Sequence, residues 1–197
     1  MKIGIVLLYG LYNPARSDYK AYLDFISQKI LEEKLEELIL CGGFTDPKQT
    51  DKSEASTAKE YLSFVTKNFD GYALEDRSLT TNQNLEFASE KINQNDELVV
   101  FCDLIRLAKV IWISQHFLLK ESFENIYKSL FDFAHNKQLY KPFIHKNLKI
   151  LAFDFPGKSK EETIAQSFAA LIDVMALYDK EFDKMDLEQR KKDFGLS

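Results

Sequence analysis

The 197-residue chain is poor in cysteine and contains no long hydrophobic run. Two cysteines cannot build the disulfide framework of a small secreted fold, so we interpret Cys41 and Cys102, which each end an apolar run, as reduced core thiols. The apolar run that follows Gly4 is far shorter than the roughly 18 residues of a membrane span. The N-terminal segment also lacks the length and the small-residue cleavage pattern of a signal peptide. These absences predict a cytoplasmic protein without a membrane span.

An excess of basic charge is also missing. The net charge is −5, and Lys and Arg are mixed with Asp and Glu along the whole chain. No continuous basic stripe is available to attract a phosphate backbone, so we expect no nucleic-acid partner. Hydrophobic residues make up 45% of the sequence, which suits a single domain with a sizeable core.

The common fingerprints of catalysis are absent as well. The sequence has no G-x-S-x-G elbow, no P-loop and no G-x-G-x-x-G, so the standard hydrolase, NTPase and dinucleotide-binding sites are not indicated. The three histidines, His116, His135 and His145, fall in no metal-ligand spacing. We therefore predict no metal site.

What the sequence does contain is an alternation of short apolar runs with longer segments of helical period. This alternation is typical of βαβ units around a parallel sheet. Several of the runs are apolar throughout, as expected of strands that are covered on both faces. The five candidate strands are Ile3–Leu8, Leu38–Cys41, Gly71–Leu74, Leu98–Cys102 and Leu148–Phe153.

Apolar stripes with helical spacing follow the strands, and we predict that each is the core face of a helix. Ser159 and Glu162 form a capping box at the start of the last such helix. From Asp179 to Asp193, 11 of 15 residues are charged, which predicts a solvated or frayed segment. The predicted division is an α/β domain over 1–178 and a charged C-terminal helix or tail over 179–197. One of the predicted core stripes consists of Phe123, Ile126, Tyr127, Leu130, Phe131 and Ala134. Another consists of Ile164, Phe168, Leu171, Met175 and Tyr178.

Polar and glycine residues follow the ends of the candidate strands. In an open parallel sheet, ligands bind outside the carboxyl ends of the strands, where loops and helix N-termini converge. We therefore predict one polar cleft there for a small, anionic or nucleotide-like molecule. The candidate residues are Gly10, Gly42, Gly43, Ser53, Glu54, Glu75, Ser78, Thr81, Asn84, Asp103 and Arg106.

Each of these signals also has a structural interpretation. Gly42-Gly43 is a weak motif, because most such pairs are only turns. Glu54 suits the first turn of a helix, where it makes a capping box with Asp51. Thr80 and Gln83 have capping-box spacing too, and Arg106 has Asp103 as a salt-bridge partner. These alternatives stay open at the level of the sequence.

The motifs taken in order resemble the YdcF-like family, which includes SanA and ElyC. The residues that carry the resemblance are Leu38 to Gly43, Ser53-Glu54-Ala55, the block from Glu75 to Asn84, and Arg106. They match a hydrophobic strand ending in Ser/Cys-Gly-Gly, a Ser-Glu-Ala helix start and a Glu-x-x-Ser-x-x-Thr-x-x-Asn block. The resemblance covers about residues 3–112. It implies a Rossmann-like, three-layer αβα domain with a mostly parallel sheet of about five strands.

The resemblance also implies a pocket formed by the candidate residues and a nucleotide-like ligand such as S-adenosylmethionine. No reaction is securely assigned to the family. This sequence departs from the family pattern at Asp103, where relatives often have His, and at Gln83, where Glu is usual. Its first loop has the single glycine Gly10, and the membrane anchor of many relatives is missing.

Three functional hypotheses follow. In the first, the protein is an enzyme that acts on a phosphorylated or nucleotide-like metabolite. Glu75 would be the general base or the acceptor for a ribose diol, and Arg106 would neutralise a developing charge. The Gly42-Gly43 amides would hold an anion. In the second, it binds such a ligand without turnover, as a sensor. In the third, the charged tail is a docking helix for a homodimer.

Overall fold

The computed structural model describes residues 1–136 and 141–196. In this part of the chain, six strands and seven helices alternate in the order β1 α1 β2 α2 β3 α3 β4 α4 α5 β5 β6 α6 α7. The strands are β1 (Lys2–Leu7), β2 (Glu37–Cys41), β3 (Tyr72–Glu75), β4 (Glu97–Asp103), β5 (Phe143–His145) and β6 (Leu148–Phe153). The helices are α1 (Ser17–Glu32), α2 (Glu54–Val65), α3 (Thr81–Ser89), α4 (Leu107–Phe117), α5 (Phe123–His135), α6 (Lys160–Ala176) and α7 (Lys180–Asp193), and a 3₁₀ turn (Leu104–Arg106) follows β4 directly.

The strands form one sheet in the order β3-β2-β1-β4-β6-β5. The five predicted strands all form and are parallel, while β5 pairs antiparallel with β6. The sequence missed β5 because a three-residue strand is too short to show a period. It is joined to β6 by a tight turn at Lys146, whose φ is 53°.

Hydrophobic side chains cover both faces of the sheet, which confirms the predicted three-layer α/β fold. Successive residues of β1 point to opposite faces, so Ile5 packs with the α3 and α4 side and Val6 with the α1 and α2 side. Leu85 and Ile111 fill the first layer, while Tyr22 fills the second. The Rossmann-like class predicted from the sequence is consistent with this arrangement.

The predicted core face on α6 was wrong, and the one predicted on α5 belongs to the core only at Ile126, which is buried, and at Leu130, which is partly buried against the core. On α5, Phe123, Tyr127 and Phe131 are about half exposed and only Ile126 is buried. On α6, every member of the predicted stripe is exposed. Apolar periodicity shows which side of a helix is hydrophobic, but it does not show whether another element covers that side. The inward side of α6 instead carries the buried Asp173.

Among the described residues, no helix combines the length and the apolar character needed to cross a bilayer.

Candidate functional site

The candidate site lies at the carboxyl ends of the central strands. β1 lies between β2 and β4, and the strand order reverses there. Such a switch point leaves a crevice above the sheet, because the connections on either side of it run in opposite directions. The Tyr9 hydroxyl, just after β1, accepts a hydrogen bond from the backbone N–H of Asp103 at the end of β4. This contact ties together the two loops that flank the crevice.

Two adjoining pockets occupy this edge of the sheet, and both are lined by Tyr9 and Arg106. Their volumes are about 290 and 280 Å³. Ligand sites commonly have about 300–1,000 Å³, so each pocket suits a small group and the pair suits a molecule of nucleotide size. We call the pocket that contains Gly10, Gly42 and Gly43 the glycine pocket. Its further lining residues are Leu8, Thr45, Glu54, Ser78, Leu79, Thr80, Thr81, Asn84, Arg190 and Phe194. We call the pocket that contains Lys158 the lysine pocket. Its further lining residues are Arg16, Asp18, Asp103, Ile105, Phe155, Pro156, Gly157, Glu162 and Gln166.

The structure brings most of the predicted site residues to these pockets. Asp103 lines the lysine pocket, while Ser53 and Glu75 line neither pocket. The predicted residues that line the glycine pocket are Gly10, Gly42, Gly43, Glu54, Ser78, Thr81, Asn84 and Arg106.

The two glycines after β2 are required by close backbone packing. A Cβ on Gly43 would lie well inside van der Waals contact of the Ser78 carbonyl oxygen and 3.1 Å from that of Asp76. A Cβ on Gly42 would come within 2.7 Å of the Glu54 side chain. The Gly42 N–H donates to the carbonyl oxygen of Glu75 at 2.9 Å. The Gly42 N–H therefore supports the sheet edge, and the anion site at the Gly42-Gly43 amides stays a prediction.

Glu54 is the first helical residue of α2, and the cap that precedes it differs from the one predicted. Ser53 is the N-cap and forms a capping box with Ser56, so Asp51 does not take that role. Ser53 thus acts on the helix end, because its hydroxyl accepts from the Ser56 N–H at 3.0 Å. The Glu54 side chain reaches the glycine pocket and accepts a hydrogen bond from the Thr45 hydroxyl.

Glu54 is a buried carboxyl group that faces a cleft, with 7% of its surface exposed. Burial raises the pKa of Glu54, and the hydrogen bonds from Thr45 and the Gly10 backbone, together with the charge of Arg106, oppose that rise. A carboxyl group in this setting can hold or release a proton near a bound ligand.

Glu75 supports the loop that follows β3. Its Oε1 accepts from the Arg77 N–H at 2.9 Å, and its Oε2 has no hydrogen-bond partner in the described part of the chain. Burial raises the pKa of Glu75, and the hydrogen bond from the Arg77 N–H together with the charge of Arg77 opposes that rise in part. Glu75 holds the segment that carries Ser78, and Ser78 lines the glycine pocket.

The polar block before α3 presents an amide to the glycine pocket. Thr80 caps the helix by accepting from the Gln83 N–H at 3.1 Å, as its spacing predicts. The Gln83 Oε1 accepts a hydrogen bond from the Leu79 N–H at 2.8 Å, whereas in a capping box it would accept from the N–H of Thr80, one residue later. The Ser78 hydroxyl donates to Asn84 Oδ1, which leaves the Asn84 amide nitrogen as a donor for a ligand.

Arg106 lies between the two pockets. Its guanidinium group stacks over the Tyr9 ring, 4.3 Å from the ring centroid, and its Nε donates to Gln166 Oε1 at 3.0 Å. It does not pair with Asp103, because Asp103 accepts from Lys158 and from the Ile105 N–H. Arg106 is therefore held by stacking and by a neutral partner, which leaves its charge for an anion.

Several residues that line the pockets were missed by the sequence analysis. Arg190 and Phe194 reach the glycine pocket from α7 and the segment after it; the predicted charged, solvated helix does form, but its contact with the pocket was not predicted. No sequence signal marks them, because only tertiary packing returns the tail to the sheet edge. Lys158 could have been found, because it follows the last parallel strand on the same rim.

Four cations and four carboxylates line the two pockets of this chain, whose net charge is −5. Arg106 and Arg190 line the glycine pocket, and Arg16, Arg106 and Lys158 line the lysine pocket. Carboxylates lie beside them, with Glu54 in the first pocket and Asp18, Asp103 and Glu162 in the second. Within residues 1–136 and 141–196, no three His, Cys, Asp or Glu side chains converge as metal ligands would.

Comparisons with protein-family models, with curated proteins and with solved structures found no match for this chain. The resemblance to the YdcF-like family rests on the motifs between Leu38 and Arg106 alone, so membership of that family stays a prediction. The geometry of the site is therefore the basis for a functional assignment.

Proposed function

We propose that this protein binds a small anionic or nucleotide-like ligand at the carboxyl ends of the parallel strands. The observation that carries the proposal is the position of Arg106 between two pockets. Stacking on Tyr9 and the single bond to Gln166 hold its guanidinium group without neutralising it. A guanidinium group with free N–H donors is well suited to phosphate or carboxylate.

The remaining lining residues support a ligand with two chemically different parts. The lysine pocket contains Arg16 and Lys158, which pair with Asp18 and Asp103, and an anionic group of the ligand would bind there by replacing these carboxylates as their partners. The glycine pocket offers the Glu54 carboxyl group and the Asn84 amide, which suit hydroxyl or amine groups such as those of a ribose. S-adenosylmethionine, which the family resemblance implies, combines a ribose with a carboxylate and is one candidate.

Ligand-induced thermal stabilisation tests the proposal. We would screen S-adenosylmethionine, nucleotides and sugar phosphates against the wild-type chain, Arg106→Gln and Arg77→Gln. A ligand at about 100 times its Kd adds about 2.7 kcal/mol of stability, or roughly 5–10 °C in Tm for a domain of this size. We expect the shift to be lost in Arg106→Gln and kept in Arg77→Gln, because Arg77 is exposed and lines neither pocket.

If no compound of the panel stabilises the wild-type chain, or if both variants respond alike, binding at Arg106 is refuted.

A second proposal is that the site also turns over a phosphorylated or nucleotide-like metabolite. The observation that favours it is Glu54, a buried carboxyl group with a raised pKa in the same pocket as Arg106. Glu54 would transfer a proton while Arg106 neutralises a developing charge. The sequence assigned the base to Glu75 instead, and Glu75 lines neither pocket.

Product analysis by mass spectrometry separates an enzyme from a binding protein or sensor. Turnover that is lost in Glu54→Gln and kept in Glu75→Gln supports Glu54 as the proton-transferring group. The reverse result assigns that role to Glu75. Binding without any product supports the sensor function, and turnover that survives both variants and Arg106→Ala refutes the catalytic proposal.

A cytoplasmic location is also proposed. It is supported by Cys41 and Cys102, which are both buried and free of disulfide bonds. Fractionation of cells that express the native chain tests it, with recovery in the membrane or secreted fraction as the contrary result.

A further inference from the structure

An uncharged apolar stripe runs along the exposed side of α6. Its members recur at one side over the 15 residues from Ile164 to Tyr178, a length of about 21 Å, and Tyr178 lies in the turn that follows α6. Between 48% and 66% of the surface of each is exposed. The stripe consists of Ile164, Phe168, Leu171, Met175 and Tyr178.

The charge pattern of the helix singles out this stripe. From Thr163 to Tyr178 the only charged residue is Asp173, and its side chain is fully buried on the inward side of α6. The exposed side of the helix is therefore apolar or uncharged for four turns. Surface helices normally place charged residues on their solvent side, so this pattern indicates a side that is covered by a partner.

The stripe continues onto α5. Tyr178 and Phe123 pack at 5.8 Å between ring centroids, and both line an apolar groove with Trp112. From Phe123, the exposed rings of Tyr127 and Phe131 extend along α5. We call the stripe on α6 together with Phe123, Tyr127 and Phe131 the α5–α6 ridge.

The area of the α5–α6 ridge matches what a dimer needs. A fully exposed aromatic side chain offers about 150–250 Å², so eight large side chains that are each about half exposed offer on the order of 800 Å². The largest apolar patch of a typical monomer is only about 300–600 Å². A stable protein interface buries about 800 Å² per partner.

We propose that the α5–α6 ridge is the interface of a symmetric homodimer in which the two α6 helices pack antiparallel about a twofold axis near Leu171. The spacing of the stripe is nearly symmetric about that residue, with members 7 and 3 residues before it and 4 and 7 residues after it. An antiparallel pairing places Leu171 opposite Leu171 of the partner subunit and Phe168 opposite Met175 of the partner subunit. It also places Ile164 opposite Tyr178 of the partner subunit. An isologous interface needs such a self-complementary surface.

The chemistry of the chain favours a second copy over a membrane surface. Membrane-binding helices carry Lys and Arg beside their apolar side, whereas α6 has none between Thr163 and Tyr178 and the chain has a net charge of −5. The sequence predicts a dimer contact on the charged tail, but α7 packs on α6 of its own chain, where Arg190 pairs with Asp173. The apolar side of α6 is left for the partner.

Sedimentation velocity over a concentration series tests the proposal on the full chain. We expect a dimer for the wild type, and a rise of at least about 30-fold in its dissociation constant for Leu171→Lys and Leu171→Glu. Because the residue faces its own copy at the axis, mixing these two variants should restore the dimer. Phe64→Lys is the matched control, since Phe64 is 74% exposed on α2, away from the ridge, and should leave the dimer unchanged.

Cross-linking locates the axis directly. Under a mild oxidant, Leu171→Cys should form a disulfide-linked dimer rapidly, whereas Phe64→Cys should not. Both native thiols are fully buried and should not react. Circular dichroism of each variant should match the wild type, because both substituted side chains are exposed.

Three results would overturn the proposal. One is a wild-type chain that stays monomeric at high micromolar concentration. Another is a dimer that Leu171→Lys and Leu171→Glu leave intact. The third is a monomer that sediments with anionic or neutral lipid vesicles through Phe168 and Leu171, which would assign the ridge to a membrane.

Discussion

Asp173 joins the core of the fold to the C-terminal helix through two cations. It accepts hydrogen bonds from Lys109 on α4 and from Arg190 on α7. The Asp173 side chain is fully buried and that of Lys109 is 3% exposed, whereas the Arg190 side chain is 27% exposed. Because the pair with Lys109 is the more deeply buried one, the two interactions should contribute very differently to stability.

Replacing Asp173 by Asn keeps the shape of the side chain and removes its charge. Lys109 is then an unpaired charge in the interior, which costs about 3–5 kcal/mol. For a domain of this size, the melting temperature should fall by roughly 6–20 °C. Arg190→Gln should cost only about 1 kcal/mol, because Arg190 is partly solvated and the buried pair remains. Urea denaturation followed by circular dichroism measures both losses.

The double variant Lys109→Met, Asp173→Leu is the internal control. Replacement of a buried ion pair by apolar residues of similar volume is often neutral or stabilising, so the double variant should recover most of the stability that Asp173→Asn loses. A loss below about 1 kcal/mol for Asp173→Asn, or a double variant that is no more stable than Asp173→Asn, would refute the reasoning.

The same variant should show a characteristic dependence on pH. Burial lowers the pKa of Lys109, and the charge of Asp173 opposes that lowering. In Asp173→Asn the opposing charge is gone, so the pKa of Lys109 falls further below the unfolded value of about 10.4. Between the two values the folded state binds fewer protons than the unfolded state, and stability rises with pH. The deficit of Asp173→Asn should therefore shrink as the pH is raised from 7 towards 10.

Three further predictions concern the pockets. Because burial raises the pKa of Glu54, the contribution of this group to stability should be lost as the pH rises from the unfolded value of 4.5 through the folded pKa. In denaturation curves, the stability of the wild-type chain relative to Glu54→Gln should therefore fall across that range. Gly43→Ala should cost about 1–3 kcal/mol, because the new Cβ meets the Ser78 carbonyl oxygen, and an unchanged melting temperature would contradict this packing. Arg190→Gln should weaken the binding of an anionic ligand in the glycine pocket about 10-fold, as measured by calorimetry. If this variant binds the ligand as tightly as the wild-type chain, the ligand lies away from α7.

Most of the sheet and of the candidate site could be predicted from the sequence. Short apolar runs marked the five parallel strands, and the rule that ligands bind beyond the carboxyl ends of parallel strands located Gly43, Glu54, Asn84 and Arg106. These features are local: a buried strand needs consecutive apolar residues, and the residue that follows a strand is known once the strand is known. The short strand β5 escaped because its three residues carry no readable period.

The sequence alone therefore determined the five parallel strands and most of the predicted polar residues that meet at the sheet edge. Only the tertiary structure decided how those residues are used. Glu75 ends β3 and Glu54 begins α2, yet Glu54 faces the glycine pocket and Glu75 holds the loop beside it. Periodicity likewise identified the apolar side of α6 but not its exposure. Burial depends on what packs against a side chain from elsewhere in the chain, and neighbouring residues in the sequence do not encode that partner.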